Sequence, residues 1–198
     1  MRLGFDLDEV VVDLTAELEK YIDINYGIVW PADRFIHYGF RQCKFTDDEL
    51  FNKRIADDLS NIANDPDFQY QAVPAEGAVD VLHKLKHTGH KIHLISSRPK
   101  QNQPLTFRWL RSKGIPFDSL DVIGHSEQKG LYGFKHDLDM YVDDLVKHLE
   151  SMLLHKKRWR KGLLLFDKPW NRVPIDGSKF KRVDGWYDIL RHVGIQNR

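Results

Sequence analysis

One cysteine, Cys43, stands in 198 residues, so no intramolecular disulfide framework can form and a reducing compartment, the cytoplasm, is the expectation. No stretch approaches membrane-spanning length, and residues 1–30 lack a basic start followed by a long apolar core. Neither a membrane anchor nor a signal peptide is therefore expected. Neither sign of charge prevails: 30 Lys and Arg face 29 Asp and Glu, a formal net charge of +1. That balance argues against a general attraction to nucleic acid or membrane, and no stable nucleic-acid binding is expected. Repeats and low-complexity segments are absent as well. With 41% hydrophobic residues, the chain can fold as one domain with a core, plus a modest insertion.

Five short apolar runs are present: LGFDLD (3–8), KIHLISS (91–97), LDVIGHS (120–126), MYVDD (140–144) and GLLLFD (162–167). Most are apolar on both alternating faces, which suits buried parallel strands. Helical patterns separate the later runs. EGAVDVLHKLKHTG closes at Gly89, PLTFRWLRSKG at Gly114, and LVKHLESMLLHKKRWRKG at Gly162. VDGWYDILRHVG reads as a last short helix. Strands alternating with helices predict an α/β fold with a parallel sheet covered on both faces.

Residues 14–75 break the alternation. A helix over roughly 13–26 aligns Leu14, Leu18 and Ile22, and an aromatic loop, WPADRFIHYGF, follows. A second helix is expected to begin at Thr46 with the pattern Thr46-Asp47-Asp48-Glu49, carrying Phe51, Ile55, Leu59 and Ile62 on one face. This describes a core of 1–13 and 76–198 with an inserted helical cap, 14–75.

The apolar runs end in polar residues: Asp6 and Asp8, then Ser96, Ser97 and Arg98, then Asp143 and Asp144, then Asp167. Ligands of open parallel sheets bind at the carboxyl ends of the strands, so these residues are expected to converge. Asp6 and Asp8, two apart, share a face of an extended strand. With a third carboxylate from the fourth run they make a hard oxygen site suited to Mg²⁺ and a phosphate.

The set FDLDEVVVD, LISSRP, Lys129 and YVDD, in this order, resembles the four motifs of the haloacid dehalogenase (HAD) superfamily of phosphohydrolases. LLLFDKPWNR resembles the fifth-strand segment of its deoxyribonucleotidase-like branch. The resemblance implies a three-layer Rossmannoid sandwich with a mainly parallel five-stranded sheet and a C1-type cap after strand one. It implies a Mg²⁺-dependent phosphatase, foremost a 5′-nucleotidase. Asp6 would be the nucleophile, forming an aspartyl-phosphate, and Asp8 the general acid and then base. Ser96, preferred to Ser97, would bond a phosphoryl oxygen. Lys129, preferred to Lys135 for its gap to the acidic pair, would neutralise the phosphoryl charge. Asp144 would hold the metal, with Asp143 beside it, Asp6, and the Asp8 backbone carbonyl. Ser97, Arg98, Glu9, Trp30 and Phe40 are substrate-binding candidates. Glu9 stands where many relatives carry glycine, which puts an acidic side chain in a tight loop.

Other features read more plainly. His83 and His87 are four apart on a helix but have no third metal ligand nearby. KKRWRK (156–161) reads as a solvated helix end. Among Trp30, Phe35, Tyr38, Phe40 and Phe51, most build the cap's own small core, with one or two left for the substrate. Another small phosphate ester, a nucleic-acid phosphate end, or a non-catalytic phosphate-binding domain stay open as alternatives. A cap this small could leave the site partly open, which a second copy of the chain would close.

Overall fold

The structure is a computed structural model and describes residues 1–37, 39–155 and 159–195. Tyr38 and the start of the KKRWRK run lie outside the described residues.

The central sheet has six strands, all parallel, in the order β5-β4-β1-β6-β7-β8. They are β1 (Arg2–Phe5), β4 (Lys91–Ser96), β5 (Ser119–Val122), β6 (Met140–Asp143), β7 (Gly162–Phe166) and β8 (Phe180–Val183). Five correspond to the apolar runs. The sixth, FKRV, is an edge strand with an exposed Lys181; it has no apolar run to announce it, and its lysine protects the open edge from pairing. β1 lies at the centre, paired Phe5 to Leu94 on one side and Phe5 to Val142 on the other. Its three inner residues are buried, so the chain leaves the sheet's interior at Asp6.

Helices α1 (Leu14–Tyr26), α4 (Ala78–His87), α5 (Gln103–Ser112), α7 (Val146–His155) and α8 (Trp186–Val193) match the helical patterns of the sequence. The helix expected from Thr46 starts later: α2 runs Glu49–Ile62, and Asp48 caps it by accepting from Phe51 N at 3.0 Å. Thr46 Oγ1 instead accepts from Asp48 N at 3.2 Å, a local turn that competes with helix. Two short helices carry no strong periodicity. In α3 (Pro66–Gln71), Asp65 caps Phe68 N at 2.9 Å and Pro66 occupies the first turn. In α6 (Lys129–Lys135), Gly130 and Gly133 weaken the propensity but let the helix approach α7: a Cβ on Gly130 would sit 2.0 Å from the Ser151 carbonyl oxygen.

Residues 14–72 lie between two two-residue strands, β2 (Val12–Asp13) and β3 (Val73–Pro74), which pair antiparallel. This pairing closes the excursion at its base, so the chain departs and returns beside the end of β1. Within it, Trp30, Phe35 and Phe45 pack together, with ring centroids 4.6 Å apart for Trp30 and Phe45 and 6.3 Å for Trp30 and Phe35. No helix among the described residues is long and apolar enough to cross a membrane.

Candidate active site

Lys129 is the centre of the arrangement. It is 1% exposed, and its Nζ lies 2.7 Å from Asp6 Oδ1 and 2.8 Å from Asp143 Oδ2. A lysine so buried needs such partners. Burial pulls its pKa down, but the charges of Asp143 and Asp6 outweigh that and raise it above the usual lysine range. Lys135 is exposed and pairs with Asp121, so the structure brings only the first of the two lysines to the site.

Asp143 is fully buried and saturated. Its Oδ2 also accepts from Tyr141 Oη at 3.1 Å; its Oδ1 accepts from Leu145 N at 2.9 Å and lies 3.0 Å from His148 Nδ1. Burial opposes its ionisation, yet Lys129 and His148 hold its pKa below the ordinary carboxylate value. Asp6 is the reverse case. Burial pushes its pKa up to about 7, against the pull of Lys129 and with the added repulsion of Asp143 and Asp8. Asp144 is likewise raised well above the carboxylate range, by burial and then by Asp143, Asp6 and Glu9.

Asp8 is held by Arg98, whose Nε lies 3.1 and 3.0 Å from the two carboxylate oxygens. Arg98 is itself buried, and its Nη1 donates to Thr106 Oγ1 at 3.3 Å. At the end of β4 the alternation of side chains separates the two serines. Ser97 lines the cavity, whereas Ser96 is fully buried and its Oγ accepts from Arg98 N at 3.2 Å.

Glu9 adopts a left-handed backbone, φ 66°, the conformation that glycine takes most easily. The side chain compensates. Its Oε1 accepts from Thr15 N at 2.7 Å in the first turn of α1, and its Oε2 pairs with Lys168 Nζ at 2.9 Å. Thr15 N is one of the unpaired donors at a helix start, where an acidic group is favoured. Glu9 thus fastens the loop after β1 to the first helix of the 14–72 excursion.

These groups surround a cavity of about 280 Å³. Asp6, Asp8, Glu9, Asp144, Ser97 and Arg98 form its polar floor; Leu14, Leu18, Phe35 and Phe40 form an apolar wall. Phe40 reaches the cavity. Trp30 is not among its lining residues, because its ring is packed between Phe35 and Phe45. Several lining groups escaped the sequence reading, among them His37, Asn64, Gln69, His125, His148 and Trp170. His148 stands one helical turn beyond Asp144, a spacing that could have shown it. Trp170 lies in the turn Pro169–Asn171 and donates from Nε1 to Asp144 Oδ2 at 2.8 Å.

The donor set fits a divalent cation. Five carboxylates (Asp6, Asp8, Glu9, Asp143, Asp144) meet three cations (Lys129, Arg98, Lys168), which leaves two negative charges in a largely buried space. Burial first, and then repulsion within this acidic group, raises the pKa values of Asp6 and Asp144. Ligand atoms of Asp6, Asp143 and His148 lie within 4.8 Å of one another, but the Asp143 oxygens are already occupied by Lys129, Tyr141, Leu145 N and His148, which leaves Asp6 and Asp144 as the carboxylates open to an ion. Oxygen donors of this kind suit Mg²⁺.

The fold is that of the HAD hydrolases. A structure from Lactobacillus delbrueckii subsp. bulgaricus, described as a candidate phosphoglycolate phosphatase, matches 100% of this chain and 98% of its own, with a TM-score of 0.62 at 13% identity. The candidate HAD hydrolase YfnB of Bacillus subtilis, determined with magnesium bound, matches 98% of both chains with a TM-score of 0.60 at 13% identity. A model of the family described as "5' nucleotidase, deoxy (Pyrimidine), cytosolic type C protein" matches residues 1–197, and the chain belongs to that family. Among curated relatives, YqfW of Bacillus subtilis, described as a candidate nucleotidase, is 24% identical over 195 residues, covering 96% of this chain and 92% of its own. A second candidate nucleotidase, from Bacillus cereus, is 26% identical over 170 residues, 77% of this chain and 81% of its own. The protein is thus an enzyme of the phosphatase and nucleotidase class.

Proposed function

We propose that the protein hydrolyses 5′-nucleoside monophosphates with the help of Mg²⁺, through a phosphorylated Asp6. The observation that carries this reading is the buried Asp6–Lys129–Asp143 bridge beneath the cavity, with Asp8 and Asp144 beside it. Asp6 attacks phosphorus and the bond to the leaving oxygen breaks, while Asp8 gives that oxygen its proton. Asp8 then takes a proton from water, whose oxygen attacks the same phosphorus and releases phosphate from Asp6. Lys129 holds the Asp6 carboxylate in place and balances charge on the phosphoryl group. Asp143, with its oxygens occupied, fixes Lys129. Ser97, which lines the cavity, is the hydroxyl within reach of a phosphoryl oxygen, while Ser96, the serine preferred from the resemblance, is buried and braces the Arg98 backbone. Arg98 orients Asp8. Asp6, Asp144 and the Asp8 carbonyl would hold Mg²⁺, which supplies Lewis-acid neutralisation of phosphoryl charge when bound.

The 14–75 segment acts as the cap. Its apolar wall, with Phe40 foremost, suits the flat face of a base, and a cavity of about 280 Å³ suits one small molecule better than a polymer. Phosphate release should be measured from ribo- and deoxynucleoside monophosphates, sugar phosphates and 3′-phosphorylated oligonucleotides, with and without Mg²⁺, beside Asp6→Asn. Metal-dependent turnover of nucleoside monophosphates, lost in the variant, is the expected outcome. Preference for sugar phosphates would keep the chemistry and reject the substrate. Activity surviving in Asp6→Asn would reject the chemistry.

A further inference from the structure

The turn after β7 touches the acidic site from behind at three points. Lys168 Nζ pairs with Glu9 Oε2 at 2.9 Å. Trp170 Nε1 donates to Asp144 Oδ2 at 2.8 Å, and Asn171 Nδ2 donates to the Asp144 backbone oxygen at 2.8 Å. The turn is itself tied down by β8. Arg182 Nη1 lies 2.6 Å from Asn171 Oδ1 and 2.9 Å from Asp167 Oδ1, and its Nη2 lies 2.9 Å from the Asn171 backbone oxygen. Asn171 Nδ2 also bonds the Phe166 backbone oxygen at 2.7 Å. A chain of hydrogen bonds therefore runs from the edge strand through the turn to one carboxylate.

We propose that Trp170 is a positioning residue for the divalent cation: its indole N–H fixes the Asp144 carboxylate so that one oxygen is spent on the indole and the other is left to the ion. This rests on the metal-dependent reading above. The argument is one of charge and valence. Asp144 is surrounded by Asp6, Glu9 and Asp143, whose repulsion favours any rotamer that turns its carboxylate away. Indole N–H can only donate, so it opposes that rotation in every protonation state of its neighbours. The ring is anchored by a rigid turn and forms part of the cavity wall, so the carboxylate is already oriented before an ion arrives. Partners that orient a metal ligand in this way typically contribute about 10–100-fold in metal affinity.

The test is calorimetric titration of Mg²⁺ and of Mn²⁺ into the metal-stripped full chain, for the wild type, Trp170→Phe and Asp144→Asn. Trp170→Phe keeps an aromatic ring and removes the N–H. It should bind the ion about 10–100-fold more weakly, read as a rise in the calorimetric Kd of the folded variant. If the Phe variant fails to fold, benzothienylalanine at position 170, in which sulfur replaces the N–H at nearly constant shape, is expected to show the same loss. An unchanged Kd in whichever of the two folds, with binding abolished in Asp144→Asn, overturns the role of Trp170 and leaves the metal reading intact. Absence of ion binding by the wild type overturns both.

Discussion

The floor and the roof of the cavity are built by different rules. The floor comes from strand ends of one parallel sheet, and its charged groups are pinned by partners distant in sequence: Asp6 and Asp143 by Lys129, Asp8 by Arg98, Asp144 by Trp170. The roof comes from the single excursion 14–72 and brings an apolar wall of Leu18, Phe35 and Phe40 to the cavity, with uncharged polar groups such as Asn64 and Gln69 beside it. A group held from two or three directions can place a reacting atom; a wall of apolar side chains can select what enters. Under the proposed function, chemistry falls to the sheet and substrate choice to the insertion, so changes in the two should have unlike kinetic signatures.

The largest effect is expected on the floor. Asp6→Asn should lower kcat by about 10⁴-fold or more in a phosphate-release assay, because loss of a covalent nucleophile removes the whole route. Lys129→Met leaves two carboxylates, Asp6 and Asp143, buried without their cation. It should cost ~3–5 kcal/mol in urea unfolding as well as abolish turnover. Gly130→Ala reaches the same lysine indirectly: its new Cβ meets the Ser151 carbonyl at 2.0 Å, so α6 must shift from α7. About 1–3 kcal/mol of stability should be lost, with activity falling because Lys129 opens that helix. On the roof, Phe40→Ala should raise KM about 10-fold with kcat much less affected; equal losses in both would erase the distinction between floor and roof.

The smallest effect lies at the opposite end of the sheet. His93 on β4 packs against His136, ring centroids 4.6 Å apart, and burial followed by the charge of His136 holds its pKa down to about 4. Unfolded histidine titrates near pH 6.5, so between about 6.5 and 4 the unfolded chain binds more protons, and stability falls as pH falls through that window. Unfolding of His93→Gln across the same range should show a shallower acid-side loss, with turnover at neutral pH unchanged.

The floor was legible in the sequence because its chemistry sits at the ends of apolar runs. Asp6, Asp8, Asp143 and Asp144 gather around one space, as the strand-end argument requires; Lys129, which opens α6 and was visible only through the family resemblance, joins them there. What the sequence hid were contacts with no local signature. β8 is short and charged, α6 carries two glycines for close packing, and Trp170 is one tryptophan among five until folding sets its indole against Asp144. Glu9 was visible as an oddity in a tight loop and as a substrate-binding candidate; it lines the cavity, but its carboxylate is taken up by Thr15 and Lys168. Its left-handed backbone and its two bonds, to Thr15 and Lys168, explain how an acidic residue serves where glycine is common.

The central claim is that Asp6 carries the phosphoryl group. It is tested most directly by acid-quenching an Asp8→Asn variant during turnover of p-nitrophenyl phosphate with Mg²⁺, whose phenolate leaves without the proton that Asp8 gives a nucleoside, and locating phosphate by peptide mass spectrometry. Removing the base that activates water should let the intermediate accumulate, and the account predicts a phosphoryl group on the peptide bearing Asp6, absent in an Asp6→Asn/Asp8→Asn double variant. Turnover with phosphate on no peptide, or on one lacking Asp6, would contradict it.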